Sequence, residues 1–450
     1  MPLSTAGPRP SRRRTILRAG LVGVLAILAL PPAAFAYNDG FRGIVERFRS
    51  DTGRLDPTAM ISQYIRQIRA ITGMEVLITP RIDSGTRQAA DDAMFAHLVR
   101  RGFTGARTDI PGSEYLLRHL GVIGDRPLRD QLHESLLAGV DGLYIPSTKR
   151  IMLVEGAGRH RTQLVIEGEL LHAAQDSSVR TEPTIERHAL DVDSTLALDA
   201  LFEGQAQAYQ LVRTLGENAT TDERLHLLST KLPELRVAAM KETGGGFLAQ
   251  IDRFPRDWGL VHVAARAVAS HSLDFKAMFD TIPETTDQVI NADRFSPPRQ
   301  PERTQLEINA KKILRSIGGE RRFESTLGAA YLLALFNHYF PNEGDENLTA
   351  VVGWNGDHAL MLRKDGLPLL AIDSLWATDK DAREFADRYR ALLQARPEPA
   401  ATEEIRARGG APLRLRPDIR QSQRRVLIVE SWEGVPERAK VLRFLGFSDE

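Results

Sequence analysis

The residues of this sequence that could carry chemistry lie in one predicted helix, at about residues 161–175. Within it, Glu169 and His172 are three residues apart, so on a helix their side chains share a face. A carboxylate and an imidazole on one face can bind a metal ion together or move a proton. Further along the chain, Glu203 offers another carboxylate in the next long helical pattern. Because a lone Glu-x-x-His pair on a helix is common, an exposed surface pair is the alternative interpretation.

The spacing corresponds to the second half of H-E-x-x-H, the zinc-peptidase motif. In that motif, two histidines four residues apart bind zinc, and the glutamate after the first histidine is the general base. Gly168 stands at the first histidine position and has no side chain to offer. Glycine inside a helix costs about 1 kcal/mol relative to alanine, so Gly168 does not serve helix formation. Since the chain has no cysteine, His, Asp and Glu would have to bind any metal ion.

Several segments, taken in order, resemble a family of bacterial exported, zinc-dependent neutral metallopeptidases. The motif helix is similar to the family pattern H-E-L-x-H-A-L-Q-D, and the predicted hairpin at residues 143–154 also fits. The other matching segments are residues 200–206, which resemble A-L-x-E-G-x-A; residues 282–290, which resemble P-x-S-T-E-Q-x-L; residues 353–357, which resemble G-W-G-G-D; and residues 376–385, which resemble the following strand-to-helix step. The resemblance spans residues 143–389, more than half of the chain.

The resemblance implies a role for each matched residue. Glu169 takes the general-base position, His172 the second zinc-ligand position, and Glu203 the third-ligand position of the gluzincin branch. Because the first ligand has no counterpart at Gly168, zinc would have two protein ligands instead of the usual three. The sequence therefore predicts an exported metallopeptidase homologue without competent zinc hydrolysis, whose cleft binds a peptide or a protein.

Two alternatives stay open. The first is an active zinc peptidase with an altered ligand set, in which His160 or His188 replaces the missing ligand and Glu169 takes a proton from zinc-bound water. Glu167 is a poor replacement, because neighbouring positions on a helix are turned about 100° apart. The second alternative is a structural envelope protein with no ligand in the cleft.

The N-terminus has the pattern of a cleavable secretory signal at residues 1–36. Five arginines precede an apolar run at residues 19–30, and Ala34-Phe35-Ala36 is a small-x-small cleavage site. Arg13-Arg14 resembles a twin-arginine export signal. We therefore expect export to the periplasm or beyond, with an uncleaved membrane anchor as the alternative. No later apolar stretch reaches membrane-spanning length.

Composition narrows the class of partner. The formal net charge is 0, and the predicted signal contains five arginines and no acidic residue, so the mature chain is mildly acidic. Because the chain has no excess of basic residues, its composition does not indicate nucleic acid as a partner. The sequence does not indicate an oligomeric state.

Hydrophobic periodicity predicts an α+β fold that is mostly helical. It includes a strand at residues 74–79, a long helix at residues 185–215, and strands at residues 350–362 and 367–372. The expected organisation is a metallopeptidase-like domain at residues 37–300, a C-terminal α+β region at 301–394, a flexible linker at 395–424, and a terminal strand and helix at 425–450.

Overall fold

The computed structural model describes the chain from residue 57 onward, with several gaps. The described residues are 57–89, 92, 110–137, 141–155, 159–292, 300–397, 415–432 and 437–447. The predicted signal peptide lies outside them, as do residues 398–414 of the predicted linker. Contacts group Asp56–Glu450 into one compact unit. The further division at residue 300 stays a prediction.

Most described residues are helical. The helices are α1 (Pro57–Thr72), α2 (Ile110–His119), α3 (Leu128–Leu137), α4 (Arg159–Val179), α5 (Thr181–His188), α6 (Val192–Arg213), α7 (Thr221–Lys241), α8 (Gly246–Ser270), α9 (Thr286–Ile290), α10 (Gln305–Ile317), α11 (Gly328–Tyr339), α12 (Gly344–Thr349), α13 (Asp379–Ala395) and α14 (Glu437–Phe444). Within the described residues, no helix combines the length and apolarity needed to cross a bilayer.

The strands form two sheets. They are β1 (Arg81–Gly85), β2 (Gly142–Ile145), β3 (Arg150–Val154), β4 (Glu320–Ser325), β5 (Trp354–Lys364), β6 (Leu367–Trp376), β7 (Leu415–Ser422) and β8 (Arg425–Trp432). The first sheet has the order β1-β3-β2, with β1 parallel and β2 antiparallel to β3. The second sheet, β4-β5-β6-β8-β7, is antiparallel. The predicted mostly helical α+β class is confirmed.

Two predicted elements need correction. Residues 74–79 form no strand, and β1 begins only after Pro80. Leu77 and Ile78 are 70% and 58% exposed, so this apolar run is not the buried strand that its composition suggested. The predicted helix at residues 185–215 is two helices, because Asp191 caps α6: its carboxylate accepts from the amide of Ser194, whose hydroxyl accepts in return from the amide of Asp191.

Helices α6 and α8 cross with their backbones in close contact. At the crossing, Gly204 of α6 faces Gly259 of α8, and a Cβ atom on Gly204 would lie 2.2 Å from the Gly259 carbonyl oxygen. Glycine is required at this crossing because any side chain would separate the two helices. The crossing fixes the position of the preceding residue, Glu203.

The second sheet has helices on both faces. On one face, α10 and α14 cover a fully apolar cluster that includes Leu360, Leu369 and Leu427. On the other face, α13 packs with Phe385 stacked on Trp376 of β6. Strand β7 lies in the segment predicted to be a linker, and it pairs with β8 along its whole length. The separate C-terminal segments of the sequence thus complete one sheet.

Candidate functional site

Helices α4 and α6 bring the predicted site residues together. The two helices run antiparallel, because Gly168 lies opposite Gln210, whereas the later Gln175 bonds to the earlier carbonyl of Phe202. This arrangement places His172 of α4 beside Glu203 of α6.

His172 and Glu203 form a partly exposed pair. The distance from His172 Nε2 to Glu203 Oε1 is 3.9 Å, and their side chains are 20% and 26% exposed. This separation is too long for a hydrogen bond. It lies within the roughly 4 Å that one Zn–N and one Zn–O bond can span. The two atoms are therefore spaced to contact one small cation from solvent.

The tautomer of His172 follows from its neighbour Gln175. The Gln175 amide nitrogen donates to the carbonyl of Phe202 at 2.9 Å and to Gln205 Oε1 at 3.0 Å, so its oxygen is free to accept. That oxygen lies 2.8 Å from His172 Nδ1, which therefore donates. In the neutral ring, Nε2 then carries the lone pair that faces Glu203. Such an outer hydrogen bond is what orients a metal-binding histidine.

Glu169, the predicted general base, is bound to the neighbouring hairpin. Its Oε2 accepts a 2.6 Å hydrogen bond from the main-chain amide of Tyr144. Tyr144 lies in β2, which with β1 forms the two edges of the small sheet as described. The Tyr144 hydroxyl donates at 2.7 Å to Asp176, which also pairs with Lys149. The hairpin is thus attached to α4 at two points on the face that carries His172.

Within the described residues, His172 and Glu203 have no third metal donor beside them. Glu167 is buried and bound to Tyr209 at 3.0 Å and Arg213 at 2.8 Å, so its carboxylate faces α6 instead. His188 Nδ1 lies 3.9 Å from Glu284, in a different ion pair. The side chain of His160 lies outside the described residues. No group of three His, Asp or Glu suited to a metal ion occurs in the described ranges. The described residues therefore do not form a complete zinc site.

Two of the other matched segments meet in a buried cluster that the sequence did not predict. Asp193, near the start of α6, accepts from the amide of Thr286 at 2.9 Å and from its hydroxyl. Asp357 accepts from the amides of Leu327 and Gly328, at 2.7 and 3.0 Å. Burial raises the pKa of Asp357 to about 6 and raises the pKa of Asp193 well above its usual value.

This cluster joins α6, α9, α11 and β5. The Thr286 hydroxyl accepts in turn from the amide of Ala330 in α11, at 3.0 Å. Trp354 donates its indole N–H to Asp357 at 2.8 Å. Packing and hydrogen bonding within the fold therefore account for the residue types found at 282–290 and 353–357. The available signal was that residues 282–290 and 353–357 belong to one ordered set of matched segments; Asp193 lies outside that set.

One family model matches part of this chain. Residues 315–441 match the model of a family described as a domain of unknown function, DUF8575. This match covers the second sheet with α11, α12 and α13, and it does not include the pair of His172 and Glu203. No curated protein and no solved structure gives a significant match.

Proposed function

We propose that this protein is an exported metallopeptidase homologue that binds a peptide or protein without hydrolysing it. The observation that carries the proposal is the pair His172 and Glu203, which is oriented and spaced as two metal ligands, beside Gly168 where a third would be. Two protein ligands hold zinc less firmly than the usual three. Hydrolysis that depends on a firmly held metal ion is therefore not expected.

The edge strand β2 supports peptide binding. The amide of Val154 donates to the carbonyl of Asp141 at 2.8 Å, which makes this pair a hydrogen-bonded pair of the hairpin. In an antiparallel ladder, hydrogen-bonded pairs alternate with pairs that are not hydrogen-bonded to each other. Gly142 and Tyr144 fall in pairs of the second kind, so their main-chain N–H and C=O groups point away from β3. An extended peptide could pair with their outward carbonyls, as in other cases of strand addition. Glu169 already accepts from the outward amide of Tyr144.

Zinc content and casein hydrolysis together test the loss of hydrolysis. We expect the purified protein to hold less than one equivalent of zinc after dialysis and to leave casein intact. The Gly168→His variant should take up zinc, and the double variant Gly168→His with His172→Ala should not. Stoichiometric zinc in the unchanged protein, lost on His172→Ala, would instead support an active peptidase with an altered ligand set.

Peptide binding needs its own test, because a structural envelope protein would also fail to hydrolyse casein. We expect a labelled, unfolded casein fragment to bind, as measured by fluorescence polarisation. N-methylation of alternate amides in the fragment should weaken binding, because it removes the donors that pair with outward carbonyls. A fragment that does not bind at all would favour the structural role.

A further inference from the structure

Helix α10 presents basic and apolar residues on the side that faces away from the second sheet. The residues that join the apolar cluster on the sheet are Leu306, Ala310, Ile313 and Ile317. The residues on the opposite side are exposed, and their spacing of three, four and seven positions from the first places them on one helix face: Ile308, Lys311, Lys312 and Arg315. Ile308 is 52% exposed. The outward face of α10 thus combines three cations with a large apolar side chain.

Helix α14 extends this surface. Val441 and Leu442 join the same apolar cluster as α10, and the two helices are in contact. On the other side of α14, Lys440, Arg443 and Phe444 are exposed, Phe444 by 40%. Because both helices lie on one side of the sheet, their exposed residues face solvent in the same direction. We call the five cations of this surface the basic face: Lys311, Lys312, Arg315, Lys440 and Arg443.

The acidic residues of these two helices do not neutralise the basic face. Each helix contains one acidic residue: Glu307 pairs with Arg303 at 2.8 Å, and Glu437 is buried. Glu320, which follows α10, pairs with Arg322 at 2.6 Å. The three lysines of the basic face make no ion pair within the described residues. Since the whole chain has a formal net charge of 0, the basic face is a local concentration of positive charge.

We propose that the basic face docks on a membrane surface that contains anionic phospholipids. Lysine and arginine side chains near such a surface are attracted to its negative potential. The exposed Ile308 and Phe444 lie on the same side of the molecule and can enter the boundary between headgroups and acyl chains, as apolar side chains of interfacial helices do. A soluble polyanion would pair with the cations and leave both apolar side chains without a role.

This inference is independent of the proposed function, because it uses no residue of the site between α4 and α6. The contact is peripheral, since it is made by surface side chains of two helices whose other sides are buried in the fold. Five cations and two apolar groups predict reversible binding that weakens as salt screens the charges.

The first experiment measures binding of the purified protein to sedimented vesicles. One set contains phosphatidylglycerol and phosphatidylcholine in equal parts, and the other contains phosphatidylcholine alone. We expect binding only to the anionic set. The double variant Lys311→Gln with Lys312→Gln should weaken this binding at least about tenfold, because two charges near the surface are lost. The matched control, Lys241→Gln with Lys276→Gln, removes two exposed lysines elsewhere and should stay within about twofold.

A second measurement locates the contact on the molecule. The chain has no cysteine, so Ser316→Cys, exposed at the end of α10, provides a single position for an environment-sensitive dye. We expect the dye emission to shift to the blue when anionic vesicles are added. The matched Ser229→Cys, exposed on α7, should show no shift. This measurement separates the basic face from any membrane contact made by residues 1–36.

The apolar side chains distinguish a membrane from a soluble polyanion. Phe444→Gln should weaken vesicle binding several-fold, because the ring no longer enters the interface. The same variant should bind heparin as tightly as the unchanged protein, since it keeps every cation. Val237→Gln, at another exposed apolar position on α7, is the matched control and should not weaken vesicle binding. Circular dichroism checks that all variants keep the fold.

Three outcomes would overturn the inference. The first is that the double variant Lys311→Gln with Lys312→Gln binds anionic vesicles as tightly as its control. The second is an equal emission shift at positions 316 and 229, because the contact would then not be made by the basic face. The third is that Phe444→Gln binds vesicles like Val237→Gln while heparin displaces the protein fully. That third result would make the basic face a site for soluble polyanions.

Discussion

Helix α6 carries two acidic residues in opposite environments. Asp193 is 1% exposed and accepts two hydrogen bonds from Thr286. Glu203, three turns further on, is partly exposed, and its Oε1 lies 3.9 Å from His172 Nε2. The fold buries the first carboxyl group, bonds its Oδ1 to Thr286 and gives its Oδ2 no hydrogen bond within the described residues, whereas the second carboxyl group faces solvent. The comparison shows that the side chain joining α6 to α9 is buried and hydrogen-bonded, whereas the one available to a ligand is partly exposed and accepts no hydrogen bond within the described residues.

The C-terminal sheet offers the extreme case of a carboxylate needed for folding. Glu430 of β8 is fully buried and contacts Arg396 at 2.6 Å, Tyr389 at 2.6 Å and His119 at 3.0 Å. These partners hold the pKa of Glu430 well below its usual value despite burial. Because His119 belongs to α2, this cluster joins distant parts of the sequence.

The largest effect is expected for Glu430→Gln. The change leaves the buried guanidinium of Arg396 without its counter-charge, so we expect unfolding free energy to fall by about 3–5 kcal/mol. Urea denaturation of the variant and the unchanged protein measures this fall in unfolding free energy. The matched control is Glu384→Gln, in a partly exposed pair with Lys380, where the loss should stay below about 1 kcal/mol. Equal effects for the two variants would contradict the distinction between bonded and exposed carboxylates.

The contribution of Glu430 to folding stability changes with pH in one direction. Its pKa is depressed in the folded state, so its contribution is present above the unfolded value of about 4.3. That contribution is lost as the pH falls through the folded value. The stability difference between the unchanged protein and Glu430→Gln should therefore shrink in acid.

Asp193→Asn should produce the next largest effect, with the opposite sign. The carboxyl pKa of Asp193 is raised by burial and by nearby acidic residues, so its stabilising contribution is complete below about pH 3.9 and is lost as the pH rises through the folded value. Asparagine keeps an oxygen for Thr286 and does not titrate. We expect the variant to gain about 1 kcal/mol or more over the unchanged protein at pH 8, and to gain nothing at pH 4.

Urea denaturation of Asp193→Asn and of the unchanged protein, at pH values from 4 to 8, measures this difference in stability. Asp222→Asn, an exposed change at the start of α7, is the control and is measured at the same pH values. A loss of stability in Asp193→Asn that is the same at pH 4 and pH 8 would show that Asp193 is charged in the folded protein.

Tyr144→Phe tests a bond on the hairpin side of the site. The variant removes the 2.7 Å hydrogen bond from the Tyr144 hydroxyl to buried Asp176 and should cost about 1–2 kcal/mol. The control is Tyr331→Phe, because the buried Tyr331 makes no hydroxyl hydrogen bond within the described ranges and should change little. Thermal denaturation compares the two. Similar losses would mean that the hydroxyl of Tyr144 does not anchor the hairpin.

Local pattern predicted much of the fold. The hairpin of β2 and β3 and the pair β5 and β6 follow from apolar runs around short polar turns. The break before α6 was missed because the capping box at Asp191 interrupts an otherwise continuous helical pattern. The prediction of a strand at residues 74–79 was wrong because composition alone cannot show whether an apolar run is buried.

The site was predictable only in part. The three-residue spacing of Glu169 and His172 was visible in the sequence, and the resemblance added Glu203. The hydrogen bond between Glu169 and the Tyr144 amide was not visible, because it depends on how the hairpin packs on α4. The cluster of Asp193 and Asp357 joins residues far apart along the chain, and no local pattern signals such a contact.

The smallest effect on stability is expected for Glu203→Gln, and it is the sharpest test of the comparison. Glu203 is partly exposed and accepts no hydrogen bond within the described ranges, so the unfolding free energy should change by less than about 0.5 kcal/mol. In the Gly168→His background, the same substitution should nevertheless weaken zinc binding, because it replaces a charged ligand with a neutral amide. A loss of stability above about 1 kcal/mol would instead place Glu203 with Glu430, among the carboxylates whose charge the fold depends on.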